Sequence, residues 1–165
     1  MQEMSSVHDE LKKKVEELYH FRDHYFENHD IIEAADKPER IQEKLREVLT
    51  VFDDLEDEAV LADRAVFLYL KGRALNVTGE FSSGAEACLT KSVKLNPDLV
   101  EAHNELGESY MRKHEWTQAR ICFEVRYDKF TMHYLLFIIL VLIIVCINII
   151  LIETRTNLIR TVSLT

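Results

Sequence analysis

The chain has 165 residues, which is enough for one domain, and its four glycines and two prolines predict an all-α protein. The net charge is −9; residues 125–165 hold four basic and two acidic side chains, so residues 1–124 carry −11. An acidic helical body argues against direct nucleic-acid binding, which requires a basic surface. The three cysteines are odd in number and far apart, which predicts reduced thiols rather than a disulfide framework.

Residues 1–58 are predicted to form a pair of amphipathic helices. The first spans about 8–28, with an apolar face made of Leu11, Val15, Leu18, Tyr19, Phe21, Tyr25 and Phe26. The second begins near Pro38, because proline is tolerated in a first helical turn. Its apolar face holds Ile41, Leu45, Val48, Leu49, Phe52 and Leu55, and the acidic run 53–58 ends it.

Residues 59–124 contain two similar helix pairs, predicted at 59–76 with 82–95 and at 97–113 with 116–126. Gly72 and Gly107 stand 35 residues apart, and small residues recur where two helices must approach closely. A period near 34 with this pattern is typical of the tetratricopeptide repeat. The fold class is therefore predicted as an α-solenoid of antiparallel helix pairs. The predicted packing residues are Gly72, Ala85, Leu89, Pro97, Leu106, Gly107, Tyr110, Trp116, Ala119 and Phe123.

Residues 134–152 form an uncharged run of 19 residues in which Asn148 is the one strongly polar side chain. A helix of this length matches the hydrocarbon core of a membrane. The sequence therefore predicts a single hydrophobic transmembrane helix after the solenoid, with a juxtamembrane connection at 125–133 and a short polar tail at 153–165. A tail-anchored membrane adaptor that displays its repeats to the cytosol is one candidate function.

A second interpretation of the same region is that it is translated intron joined to a truncated gene product. The 41 residues from Val125 onward contain no Gly, Ala or Pro, whereas average usage would place about five Gly and Pro there. Val125-Arg126 can also be encoded by a sequence that resembles a splice-donor site. Both interpretations remain open at this point.

Three passages closely resemble one family of tetratricopeptide repeat adaptors. They are VEELYHFRDHYFENHD at 15–30, GRALNVTGEFSSGAEACLTKSVKLNPDLVEA at 72–102, and NELGESYMRKHEW with ARICF within 104–123. The resemblance covers most of residues 10–124. It implies a non-catalytic adaptor without a cofactor, whose full-length members carry further repeats and a C-terminal OB-fold domain. It also implies cytoplasmic recognition of nascent tubulin, leading to tubulin mRNA decay, and nuclear stress-response work with p53 and a p300-type acetyltransferase.

The predicted ligand site is a groove on the concave face of the solenoid, which the first helix of each pair lines. Aromatic, amide and charged groups of both signs suit an extended peptide held by hydrogen bonds and ion pairs. The alternative is an ordinary hydrated surface. The predicted groove residues are Tyr69, Arg73, Asn76, Glu101, Asn104, Glu108 and Arg112.

Metal-binding and catalytic patterns are weak. His20 and His24 stand four residues apart, near Asp23 and His29, which is a zinc-ligand spacing, but a convincing third ligand is missing. We therefore expect surface histidines and no metal. Cys88 and Cys122 fall at apolar core positions, where a free cysteine packs as a small hydrophobic residue. No phosphate loop, catalytic triad order or paired-carboxylate site occurs, so no enzymatic activity is predicted.

Overall fold

The computed structural model describes residues 3–124, and this range is helical without a strand. The helices are α1 (Glu3–Asp23), α2 (Tyr25–Asn28), a 3-10 helix (Ile31–Ala35), α3 (Lys37–Asp54), α4 (Glu56–Leu75), α5 (Ser83–Leu95) and α6 (Val100–Arg112). Residues 116–124 form a further helix, α7. The all-α prediction is confirmed for this range, and the succession of helices fits an α-solenoid.

The first layer of the fold is a three-helix core made by α1, α3 and α4. Val7, Leu11, Val15 and Leu18 of α1 are buried there, together with Ile41, Val48 and Phe52 of α3 and Phe67, Leu70 and Ala74 of α4. The rings of Phe52 and Phe67 lie 5.7 Å apart between centroids. The predicted helix at 8–28 is divided in the structure: α1 starts earlier, at Glu3, and α2 is separated from it at His24, whose φ of −102° and ψ of 19° are not helical.

Helix α4 is interrupted at Asp63, which has an extended backbone with φ −158° and ψ 106°. The Asp63 carboxylate accepts hydrogen bonds from the backbone N–H groups of Ala65 at 2.8 Å and Val66 at 3.2 Å. A side-chain oxygen in this position caps a new helix by satisfying its first free donors. Residues 56–62 and 64–75 are therefore two helical segments. The first packs against α1, where His8 Nε2 lies 3.1 Å from the carbonyl oxygen of Ala59.

Two helix pairs follow the first layer, α4 (from residue 64) with α5, and α6 with α7. A Cβ atom on Gly72 would lie 2.6 Å from Leu89 Cγ, and one on Gly107 would lie 2.6 Å from Phe123 Cε1, so both glycines permit a close helix approach. Ala85, Leu89, Leu106 and Cys122 form the second buried cluster, with Tyr110 packed against it. The buried Ser92 hydroxyl donates a 2.7 Å hydrogen bond to the carbonyl of Ala65, which ties α5 to the start of the same helix pair.

Two of the predicted packing residues lie outside the repeat core. Trp116 is 60% exposed and lies in the first turn of α7, where its ring is tilted against that of His114 at 5.6 Å. His114, which has a φ of 62°, lies in the turn between α6 and α7, directly before the helix that Trp116 begins. Pro97 is exposed, and its carbonyl oxygen lies 3.1 Å from Nε2 of the buried His103.

Within residues 3–124, none of the helices has the length and apolar character that crossing a membrane requires. The predicted connection at 125–133, the hydrophobic helix at 134–152 and the tail at 153–165 all lie outside the described residues.

Candidate peptide-binding site

Helix α4 contacts α1 and α6, and α5 contacts α4 and α6. We call the polar surface shared by α1, α4 and α6 the three-helix face. Its members on α6 occupy positions 101, 104, 105, 108 and 112, which a period of 3.6 residues brings to one side of that helix. The face consists of Tyr19, Arg22, Tyr69, Arg73, Glu101, Asn104, Glu105, Glu108 and Arg112. The buried Asn76 is bonded to Glu105 and Arg112 of this face.

The C-terminal end of α4 is held by side chains from two of the helices that contact it, α1 and α6. The Tyr19 hydroxyl of α1 donates to the carbonyl of Arg73 at 3.0 Å, and Arg112 Nη1 of α6 donates to the carbonyl of Asn76 at 2.8 Å. Arg22 Nη1 makes a longer bond, 3.5 Å, to the carbonyl of Val77. The last carbonyls of a helix lack intrahelical donors and attract cations. These three side chains therefore join the C-terminal end of α4 to α1 on one side and to α6 on the other.

The Tyr19 ring is contacted by two guanidinium groups. Arg22 Cζ lies 4.4 Å and Arg73 Cζ lies 5.1 Å from the ring centroid, distances that permit cation–π attraction. Burial raises the pKa of the Tyr19 phenol well above its usual value, and burial also raises the pKa of Tyr69. Both phenols therefore remain protonated over the whole physiological pH range. Tyr69 uses its oxygen to accept a 3.3 Å hydrogen bond from Arg73 Nη1.

Glu105 is the acidic centre of the face. Its Oε1 lies 3.3 Å from Nε of Arg73, and its side chain is 14% exposed. The Asn76 amide donates to the Glu105 carbonyl at 3.2 Å and to its carboxylate at 3.4 Å. Burial raises the pKa of Glu105, and this effect outweighs the hydrogen bond from Asn76 and the positive charge of Arg73, both of which lower it. The carboxylate is thus partly desolvated and joined to α4 at two points.

The seven predicted groove residues differ in their exposure to solvent. Tyr69, Arg73 and Arg112 are half-buried and belong to the network just described, whereas Glu101 and Glu108 are exposed and Asn104 is half-buried. Asn76 is completely buried. It is therefore not available to a ligand, because its amide lies inside the contact between α4 and α6. This corrects the prediction that Asn76 lines the groove.

Three members of the face were missed by the sequence analysis: Tyr19, Arg22 and Glu105. Tyr19 and Arg22 lie in the passage at 15–30 that carries the family resemblance, and they contact the end of α4, which lies in the second such passage. Glu105 follows Asn104 directly and stands four residues after Glu101. Its spacing would have placed it on the predicted face.

The histidines and cysteines take part in packing. The His20 and His24 rings stack with centroids 4.0 Å apart, and the His29 ring stacks on Tyr25 at 4.1 Å. Across residues 3–124, the structure brings together no group of three or more ligating side chains that could hold a metal ion. Cys122 is buried and Cys88 half-buried, and burial raises the pKa of both thiols, which keeps them protonated.

Comparison with known proteins gives one consistent group of relatives, although no family model matches the chain. Tetratricopeptide repeat protein 5 of Mus musculus is 42% identical over 122 residues. The proteins of the same name from Homo sapiens and Bos taurus are each 38% identical over 122 residues. Each match covers 74% of this chain and 27% of the relative, so the chain spans about a quarter of the length of these relatives.

Proposed function

Because this chain is 38–42% identical over 122 residues to tetratricopeptide repeat protein 5, we propose that it is a tetratricopeptide repeat protein and a non-catalytic adaptor that binds an extended peptide on the three-helix face. The observation that supports this site is the convergence of three neighbouring helices on one polar network, centred on Arg73 and Glu105 at 3.3 Å. A face held at both sides of α4 is preorganised, and preorganisation lowers the entropic cost of binding.

The accessible groups of the face suit a peptide backbone and charged side chains. Asn104 is half-buried and can both donate and accept, while Glu101 and Glu108 present carboxylates to solvent. The half-buried Arg112 places Nη2 3.5 Å from Oε2 of the exposed Glu108, and a ligand carboxylate or ammonium group can compete for this pair. The recognition is therefore proposed to be polar and directional rather than based on a deep apolar pocket.

The test is to select peptides from a random displayed library with the full-length chain and to measure the affinity of one selected synthetic peptide by fluorescence anisotropy. Asn104→Ala and Glu108→Gln are expected to weaken binding several-fold, since a hydrogen bond contributes about 0.5–1.5 kcal/mol. Lys91→Ala serves as the matched control, because Lys91 is exposed on α5, away from the face. Equal affinity of the wild type and both face variants would place the peptide site elsewhere.

We further propose, from the resemblance, that the ligand is the amino-terminal segment of nascent tubulin in the cytoplasm, with a p300-type coactivator complex as the nuclear partner. The corresponding probe is a labelled peptide with the first residues of tubulin, compared with a scrambled peptide of the same composition. Binding of the first alone, weakened by Asn104→Ala, supports tubulin recognition by this face. Equal binding of both peptides contradicts it and leaves general peptide binding to be judged by the library experiment.

A second proposed function, a tail-anchored membrane adaptor, rests on the uncharged run at 134–152. Carbonate extraction of cell membranes that contain the tagged full-length chain tests it. Retention in the membrane pellet is expected for an integral span. Release into the supernatant contradicts the anchor and favours the translated-intron interpretation, which cDNA sequencing across the codons for residues 124 and 125 examines directly.

A further inference from the structure

The link between α1 and α3 exposes the most prominent pair of apolar side chains in the described range. Ile31 is 79% exposed and Ile32 is 85% exposed, and Phe26 beside them is 47% exposed. We call residues 26–36 the isoleucine link; within it, residues 30–36 are all exposed. Single exposed apolar residues are ordinary on protein surfaces, whereas contiguous apolar patches are typical of contact surfaces.

Ring contacts hold both ends of the isoleucine link in place. The Tyr25 ring, 1% exposed, lies directly before it and stacks on His29. Lys37 Nζ, directly after it, lies 4.7 Å from the centroid of the Phe26 ring. The 3-10 turn between them is closed by backbone hydrogen bonds of 3.0 Å, from the N–H of Glu33 to Asp30 and from the N–H of Asp36 to Glu33. Ile31 and Ile32 are therefore presented by an ordered segment, which reduces the entropy lost when a partner covers them.

The charges within the isoleucine link have one sign, and the first cation after it, Lys37, lies over the Phe26 ring. The link contains Glu27, Asp30, Glu33 and Asp36 and no Lys or Arg. Lipid headgroups of anionic membranes and nucleic-acid phosphates would be repelled by this rim. A second copy of the chain would also be repelled, since residues 1–124 carry −11. A basic protein surface is the remaining partner whose charge is complementary.

We propose that the isoleucine link is a docking element for a basic protein surface that accommodates Ile31 and Ile32 in an apolar cleft. Lysine or arginine side chains at the edge of that cleft pair with Asp30, Glu33 and Asp36. Apolar burial supplies most of the affinity, and the charge pairs select the partner and speed its association. This element is independent of the three-helix face and of any peptide bound there.

The test uses the full-length chain and a synthetic amphipathic helix with leucine on one side and lysine on the others. A second peptide with glutamate in place of lysine is the matched probe. Isothermal titration calorimetry is expected to detect binding of the lysine peptide alone, weakening as salt is added. The double variant Ile31→Ser with Ile32→Ser lowers the affinity about tenfold or more, as truncation of interface hot spots does. Asp30→Asn with Glu33→Gln lowers it less and flattens the salt dependence.

Leu61→Ser is the control variant, because Leu61 is 82% exposed on α4, outside the link, and its loss should leave the affinity unchanged. Both isoleucines are exposed, so circular dichroism should give the same melting temperature for the double variant and the wild type. Equal affinity of the double variant for the lysine peptide overturns the proposal, as does equal binding of the glutamate peptide. Binding to anionic lipid vesicles, or dimerisation by light scattering, that depends on Ile31 and Ile32 also overturns it in favour of a membrane or a second copy.

Discussion

Substitution of Gly72 by alanine tests the close contact between α4 and α5. The added Cβ atom would lie 2.6 Å from Leu89 Cγ, 2.9 Å from Leu89 Cδ2 and 3.3 Å from the backbone oxygen of Ala85. Leu89 and Ala85 are both completely buried. Because the nearest atom is the branch point of a confined side chain, and a backbone oxygen lies next to it, rotation of a side-chain end does not relieve the overlap.

Two free-energy terms of opposite sign decide how far Gly72→Ala changes the stability of the fold. Forcing an extra methyl group into a packed core costs about 1–3 kcal/mol. The cost at Gly72 should lie near the upper end of this range, because the added Cβ would approach Leu89 so closely. Alanine is favoured over glycine inside a helix by about 1 kcal/mol. Gly72→Ala is therefore expected to lower the free energy of unfolding by about 2 kcal/mol, the difference between these terms.

Urea denaturation of the full-length chain, followed by circular dichroism, measures this change, and Gly84→Ala is the matched control. Gly84 lies in the first turn of α5, and its nearest neighbours to an added Cβ are 3.5 and 3.7 Å away, so alanine there should be neutral or stabilising. Leu89→Ala alone should cost about 2–5 kcal/mol. The double variant Gly72→Ala with Leu89→Ala should be more stable than the sum of the two changes predicts. An unchanged midpoint for Gly72→Ala, or strict additivity in the double variant, would refute this account of the contact.

Three further predictions concern single side chains. Ser92→Ala should lower the free energy of unfolding by about 1 kcal/mol, since a buried 2.7 Å hydrogen bond to Ala65 is lost; Ser83→Ala, in the first turn of α5, is the exposed comparison for the same urea titration. Asp63→Ala removes the cap on the second segment of α4 and should cost about 1 kcal/mol, whereas Asp63→Asn, which can still accept the bonds, should cost less. Burial raises the pKa of Glu105 in the folded chain. The contribution of Glu105 to the free energy of unfolding is therefore fully present below the unfolded pKa of about 4.3, and it is lost as pH rises through the raised folded pKa. Glu105→Gln should remove that part of the pH dependence in urea titrations repeated across the range, and an identical slope in the variant would contradict the shift.

The helix pairing could be predicted because its signals are local and recur. Gly72 and Gly107 stand at matching positions 35 residues apart, and the partner of each lies within the same helix pair, 17 residues on at Leu89 and 16 residues on at Phe123. A glycine followed by a large residue at this distance indicates a helix hairpin without knowledge of the rest of the chain. The all-α class followed from composition and periodicity in the same way.

The features that were not predicted depend on contacts between distant residues or on one backbone angle. The bond from Tyr19 to Arg73 joins residues 54 positions apart, so no local pattern shows that the two belong to one face. Asn76 has the spacing of an exposed groove residue, yet it is buried because α6 brings Glu105 and Arg112 against it. The break at Asp63 is equally hidden, since the apolar pattern continues on both sides of it.

That break gives the two segments of α4 different neighbours. The segment before Asp63 packs on α1 through His8 and Ala59, whereas the segment after it joins both layers, with Phe67 and Leu70 in the first core and Ala65 bonded to Ser92 of α5. A deletion that ends at residue 63 would therefore strip the first core of side chains from α4. Amide-exchange protection should likewise change between residues 62 and 65, in the middle of what looks like a single helix.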